Sequence, residues 1–131
     1  MYSDLCIYTM RHSQKLAEDA RRGAGELVEN QAWVTGSRLF GGAQASAAQL
    51  PIVFSAAEAD SGLIYYAVIS DVQLEGEDET GRATRTRCSY KEIRPINPPR
   101  RKSELTLATG KPMSDQYIRP YAICRTPSFL D

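Results

Sequence analysis

The single histidine and the three cysteines are the residues whose types most often carry metal or nucleophile chemistry. His12 stands alone, and Cys6, Cys88 and Cys124 lie far apart with no CxxC pair. Zinc sites usually draw ligands from closely spaced pairs, and a Ser–His–Asp arrangement would rest on His12 without local support. We therefore expect no metal site and no cofactor. The scattered cysteines are typical of a protein of the reducing cytoplasm.

The charged residues are divided unevenly along a chain whose net charge is zero. Residues 1–80 carry five basic and twelve acidic side chains, whereas residues 81–131 carry eleven and four. Such asymmetry has two interpretations: a polyanionic partner, or two halves that neutralise each other in the fold. Arginine dominates the basic set, and its planar fork suits phosphate, which favours a nucleic-acid partner.

A basic triplet, Arg100, Arg101 and Lys102, follows two consecutive prolines. A stiff loop that presents three cations is a reasonable phosphate contact, but exposed loops also carry such charges for solubility alone. Tyr117 and Arg119 lie beside Pro120 in a second compact segment, where packing and binding are equally open interpretations.

The elements that must position these residues follow a mixed α/β order. A strand is predicted over 5–10, and Ser13 is the expected N-cap of a helix that ends near Arg22 or restarts after it. Trp33, the only tryptophan, lies in a short predicted strand over 31–35. Residues 36–49 are rich in Gly, Ala, Ser and Gln, and they predict a loop with at most one helical turn.

The second half predicts a meander of strands. The expected strands cover 51–55, 63–74, 84–90 and a short segment around 105–107, and a charged hairpin tip covers 75–84. The prolines within 91–102 argue against a helix and against a central strand there. The 131 residues, 42% hydrophobic, predict one domain over 1–131 with no membrane-spanning segment.

The order of these elements resembles a known family. The run from Leu5 to Ser13, the helix after it and the segment Gln31–Thr35 are similar to the opening of the PUA-like barrels, in particular the EVE and YTH branch. The strands at 51–55 and 63–74 resemble the central hairpin of that family, so the likeness spans about residues 4–96. The resemblance implies an α+β fold: a small, mixed, curved β-barrel flanked by short helices.

The resemblance also implies a nucleic-acid-binding module that reads a flipped or modified base in an aromatic pocket with a basic rim. Trp33 corresponds to the pocket tryptophan, and Ser13 corresponds to the polar turn after the first strand. The expected base- and nucleic-acid-binding residues are Ser13, Trp33, Thr35, Ser37, Arg38, Tyr66, Arg100, Arg101, Lys102, Tyr117 and Arg119. This interpretation requires an indole that borders an open cleft with arginines around it.

Other interpretations stay open beside it. A lone tryptophan is often a packing residue, and Ser13 is fully explained as a helix cap. ASCH-type relatives suggest a hydrolase of modified nucleosides that uses Thr9, Lys15 and Glu18. Lys15 and Glu18 also have the spacing of an ordinary surface ion pair. A protein–protein adaptor without catalysis is the third class.

Overall fold

The computed structural model describes residues 1–130 of the chain. The elements in chain order are β1 (Leu5–Arg11), α1 (Ser13–Arg22), β2 (Ala24–Glu29), α2 (Val34–Ala45), β3 (Pro51–Ala56), β4 (Leu63–Glu75), β5 (Arg85–Arg100), a 3₁₀ turn (Lys102–Glu104) and β6 (Tyr121–Arg125). No helix of this described part is long and apolar enough to cross a membrane.

The six strands form one mixed sheet in the order β2-β5-β4-β3-β1-β6. β1 and β3 are parallel, and every other neighbouring pair is antiparallel. The predicted α+β class is therefore confirmed. The predicted closed barrel is not seen, because within residues 1–130 the edge strands β2 and β6 form no ladder with each other and the sheet stays open.

Strand alternation sends side chains to two differently covered faces of this sheet. Ile7, Ile52 and Phe54 point to the face on which both helices pack, which we call the helix face. Tyr8 and Val53 point to the opposite face. That second face is covered by the irregular C-terminal segment, through Leu105, Met113 and Leu130, and we call it the loop face.

The first helix differs from prediction at its ends. α1 begins at Ser13, so His12 occupies the N-cap position, and the His12 side chain does not cap the helix. The Ser13 hydroxyl and backbone N–H both donate to the Glu58 carboxylate instead. The predicted end at Arg22 is confirmed, but the predicted restart is wrong. Gly23 adopts a left-handed φ of 78° and leads directly into β2.

The segment around Trp33 was predicted wrongly in both halves. Residues 31–35 form no strand, and the predicted loop over 36–49 is largely the twelve-residue helix α2. Its small residues serve close packing on the sheet. A Cβ on Gly36 would lie 2.9 Å from Ile7 Cδ1, and the Gly36 N–H donates to the Tyr121 hydroxyl at 3.0 Å.

The prolines of 91–102 lie inside a strand. β5 runs from Arg85 to Arg100, longer than the predicted 84–90, and includes Pro95, Pro98 and Pro99. β2 pairs only with positions 86–91 of β5, so the proline-bearing half has a described strand partner on one side only. This edge location is where a residue without an N–H is tolerated.

A buried carboxylate fixes α1 to the sheet. Asp19 is fully buried and accepts hydrogen bonds from Arg11 Nε at 3.1 Å, from Tyr90 Oη at 2.6 Å, and from Arg22. Gly25 lies against this cluster, since a Cβ there would lie 2.5 Å from Asp19 Cγ. The sequence analysis did not single out Asp19.

Candidate nucleic-acid interface

Trp33 does not border an open pocket. Its side chain has no solvent exposure, and its ring stacks on Tyr121 with centroids 4.6 Å apart and planes 11° from parallel. The backbone N–H of Trp33 donates to Thr86 Oγ1 at 2.8 Å. The expectation of a base-stacking indole is therefore wrong, and Trp33 is a packing residue of the helix face.

The predicted residues of α2 share the helix face with Trp33. Thr35 and Arg38 are not buried, and the Ser37 backbone N–H donates to the Trp33 carbonyl in the first helical turn. Arg38 lines a cavity beside the first residues of the chain. The basic triplet packs with the loop face, so the sheet separates it from Trp33, Thr35, Ser37 and Arg38.

Two members of the triplet form exposed ion pairs. Arg100 Nη1 lies 3.0 Å from Glu104 Oε1, and the Arg100 guanidinium lies 4.8 Å from the centroid of the Phe129 ring. Arg101 Nη2 lies 2.8 Å from Asp115 Oδ2. Exposed pairs of this kind contribute only about 0–1 kcal/mol, so a phosphate can displace either carboxylate at little cost.

Lys102, the third member, is buried rather than exposed. Only 5% of the residue is accessible, and its Nζ donates to the Tyr117 carbonyl at 2.8 Å. Within residues 1–130 no carboxylate lies within 4.0 Å of this ammonium. An ammonium has three donors, and a buried charge is costly unless its donors are satisfied.

The Lys102 side chain lines a cavity of about 390 Å³, the Lys102 cavity. The cavity lies at the carboxyl ends of the parallel strands β1 and β3, where Met10 and residues 57–60 form one wall. The opposite wall comes from the C-terminal segment. Glu58 and Asp60 belong to the first wall of the cavity, and Asp115, Gln116 and Ile118 belong to the second.

Two of the three carboxylates in the Lys102 cavity are already engaged. Glu58 accepts both Ser13 bonds, and these hydrogen bonds lower its pKa. Asp115 accepts from Arg101 and from the Ser103 N–H, which lowers its pKa to about 2. Asp60 has no hydrogen bond or ion pair to any described residue, so it is the free acceptor of the cavity.

A smaller cavity lies between this one and a groove of about 640 Å³: it shares Asp60, Lys102 and Asp115 with the Lys102 cavity and Arg100 with the groove. The groove is lined by Arg100, Glu104, Thr106, Arg125, Thr126, Pro127, Ser128 and Phe129, and we call it the arginine groove. Arg125 is exposed and forms no ion pair with the part of the chain that the structure describes. The sequence analysis missed Arg125, which stands alone at the end of a strand without a local charge pattern.

The remaining predicted residues lie near the Lys102 cavity, except Tyr66, which lines a different cavity. The Tyr117 ring meets Tyr8 edge-on at 5.8 Å, and exposed Arg119 lies beside it, both near the Lys102 cavity. Ser13 adjoins that cavity through Glu58. Tyr66 is 5% exposed and lines a separate cavity with Arg94.

The hydrolase residues are not assembled into one site. Thr9 is buried, and its hydroxyl donates to the Pro120 carbonyl at 2.5 Å. Lys15 is exposed on α1, and among residues 1–130 no hydrogen bond or ion pair joins Thr9, Lys15 and Glu18. The same residues contain no group of three or more His, Cys, Asp or Glu side chains placed to hold a metal ion.

The loop face thus brings together Arg100, Arg101, Lys102, Tyr117 and Arg119 and adds Asp60 and Arg125. Comparison of the chain with family models, with curated proteins and with solved structures finds no match.

Proposed function

We propose that this protein is a nucleic-acid-binding module that uses the loop face as its contact surface. Backbone phosphates lie in the arginine groove, and one base enters the Lys102 cavity. The observation that carries this proposal is Lys102: the residue is buried, its ammonium has one carbonyl partner among residues 1–130, and it lines a cavity close to the arginine groove.

The chemistry of the Lys102 cavity suits the edge of a base. Nucleobases carry carbonyl acceptors beside ring N–H donors, and Lys102 supplies donors while Asp60 supplies an acceptor. Met10 and Ile118 provide apolar contact for the ring faces. Because Trp33 is buried, recognition here relies on edge hydrogen bonds more than on aromatic stacking.

The chemistry of the arginine groove suits the backbone. Arg100 and Arg125 supply guanidinium forks, and Thr106 and Ser128 supply hydroxyls on the same walls. Each phosphate that displaces a counterion adds to the salt dependence of the affinity. The weak Arg100–Glu104 pair exchanges readily for a phosphate contact.

The phosphate half of the proposal is tested with a single-stranded oligonucleotide at two salt concentrations. Arg125→Gln is expected to weaken binding several-fold and to reduce the salt slope by about one. The matched control is Arg82→Gln, an exposed arginine in the turn between β4 and β5 that lines neither the arginine groove nor the Lys102 cavity. Equal effects of the two changes, or no binding by the unchanged protein, would contradict the proposal.

The base half is tested by comparing an oligonucleotide with an abasic strand of equal length. We expect the unchanged protein to prefer the base-bearing strand about tenfold, since a good edge contact contributes about 1–3 kcal/mol. Lys102→Met is expected to remove this preference. Lys15→Met, an exposed lysine on the helix face, should retain it. Retention of the preference by Lys102→Met would exclude the Lys102 cavity as the base site.

A further inference from the structure

A second cavity, of about 370 Å³, lies on the loop face away from the proposed interface. Its polar lining residues are Tyr2, Gln49, Tyr66, Glu92 and Arg94, and its apolar lining residues are Met1, Val68 and Leu130. None of these residues lines the Lys102 cavity or the arginine groove. We call it the Arg94 cavity.

The two charged residues of this cavity are neighbours that do not pair. Glu92 and Arg94 lie two positions apart on β5, and within the described chain neither forms an ion pair within 4.0 Å. The Tyr66 phenol beside Arg94 is the main reason that the pKa of this guanidinium is raised, and the Glu92 carboxylate adds to the effect. A positive and a negative group thus share one cavity with a gap between them.

Glu92 has an unusual backbone conformation for a strand residue. Its φ is 55°, in the left-handed region that L side chains rarely adopt, and its N–H donates to the Gly23 carbonyl at 3.0 Å, one position beyond the Ala24–Lys91 pair of β2 and β5. The β4–β5 register shifts nearby, between Tyr66 and Val68 and again between Ile69 and Asp71. Such irregularities re-aim side chains, and strained non-glycine residues cluster at functional sites.

We propose that the Arg94 cavity binds a free α-amino acid with a compact apolar side chain. The ligand carboxylate lies on Arg94 and beside the Tyr66 phenol, and the ligand ammonium lies on Glu92. The apolar side chain packs against Val68 and Leu130. An α-amino acid carries its ammonium and its carboxylate on the same carbon, so it can bridge two opposite charges that lie close together without pairing.

The charge balance favours this class over a simple ion. An anion alone would leave its charge beside the Glu92 carboxylate, and a cation alone would face the Arg94 guanidinium. A zwitterion satisfies both groups through charge-assisted hydrogen bonds, which are stronger than neutral ones. The apolar walls select against long charged side chains, because a buried unpaired charge is costly.

The probe is L-leucine, titrated into the full chain by calorimetry up to about 10 mM, the upper range of weak specific binding. L-Leucine methyl ester lacks the carboxylate charge, and N-acetyl-L-leucine lacks the ammonium charge. We expect saturable binding of leucine and at least about tenfold weaker binding of each derivative, as expected when a charge-assisted hydrogen bond is lost. Absence of saturable leucine binding, or equal binding of the ester, would overturn the proposal.

The variants separate binding from folding. Arg94→Gln and Glu92→Gln are each expected to weaken leucine binding at least about tenfold. Glu92→Gly is expected to abolish binding while the melting temperature stays equal or rises, because glycine adopts a φ of 55° without strain. The matched controls are Arg82→Gln and Glu79→Gln, exposed residues of the turn between β4 and β5 outside the Arg94 cavity, which should leave binding unchanged. A Glu92→Gly protein that still binds leucine would exclude the assigned role of Glu92.

Discussion

Two charged side chains among residues 1–130 are buried, and their surroundings are opposite in kind. On the helix face the Asp19 carboxylate is met by two arginines and a tyrosine. On the loop face the Lys102 ammonium is met by a single backbone carbonyl. Both residues are at least nine-tenths buried, so the difference lies in the partners and not in the depth.

The packing around the two charged groups also differs. Asp19 is packed so closely that Gly25 has no room for a methyl group beside it. Lys102 faces a cavity of about 390 Å³ that also contains Asp60, which has no partner among residues 1–130. A charge with all its hydrogen bonds made inside the fold is a structural element, whereas one with unused donors at a cavity wall is available to a ligand.

The kind of chain that covers each face explains how both arrangements arise. Helices α1 and α2 present regular side-chain rows that pack tightly against the strands of the helix face. Residues 101–120 cover the loop face with a 3₁₀ turn and irregular backbone, which packs less completely and leaves cavities. Both proposed sites lie on the loop face.

Removal of each buried charge should give the largest difference in stability between the two faces of the sheet. Asp19→Ala leaves Arg11, Arg22 and Tyr90 without their shared acceptor, and we expect the free energy of unfolding to fall by about 3 kcal/mol. Lys102→Met replaces a poorly satisfied ammonium by an apolar chain of similar length. This change is expected to alter the free energy of unfolding by less than about 1 kcal/mol, or to raise it.

Urea denaturation of both variants, with Lys15→Met as an exposed control, measures the difference. A larger loss of stability for Lys102→Met than for Asp19→Ala would show that Lys102 is the structural charge, and it would remove the basis of the proposed interface.

Periodicity predicted the parts of the fold that depend on regular rows of apolar residues. The strands β1 and β4 and the helix α1 follow from such rows, and these predictions are confirmed. Asp19 carried a usable signal as well, since it lies three positions after Leu16 and therefore on the buried face of α1. Its polar type is typical of the exposed face of a helix, so residue type alone does not mark it as buried.

The other features depend on tertiary contacts that the local sequence does not encode. The Gly- and Ala-rich segment becomes α2 because its small residues allow close packing on β1, which outweighs low helix propensity. Trp33 is buried because Tyr121, 88 positions later, stacks on it. Lys102 differs from its neighbours Arg100 and Arg101 only through the segment 115–118 that folds over it, so no spacing in the sequence distinguishes it.

Substitution of two glycines tests how tightly each part of the helix face is packed. A Cβ on Gly25 would lie 2.5 Å from Asp19 Cγ and 2.6 Å from the Tyr90 ring, and Gly25→Ala is expected to cost about 1–3 kcal/mol through overpacking. Gly41 lies inside α2, and a methyl group added there would meet nothing within 4 Å. Gly41→Ala should therefore raise the free energy of unfolding by about 0.5–1 kcal/mol. Thermal denaturation of the two variants gives the sign of each change. A neutral Gly25→Ala would mean that the Asp19 cluster has room to shift.

The acid titration of Asp115 provides the smallest effect and tests the rim of the Lys102 cavity. The hydrogen bond from Arg101 is the main cause that lowers its pKa to about 2, below the ordinary 3.8. Because the folded-state pKa is depressed, the stability that this pairing contributes is present above about pH 4 and is lost as the pH falls towards 2.

Arg101→Gln should raise the Asp115 pKa towards 3.8, measured by carboxyl-carbon NMR. Arg100→Gln removes a neighbouring arginine that pairs with Glu104, and it should leave the Asp115 pKa at about 2. An Asp115 pKa that moves equally in both variants would mean that the general positive charge of the triplet, and not the Arg101 hydrogen bond, controls this wall of the cavity.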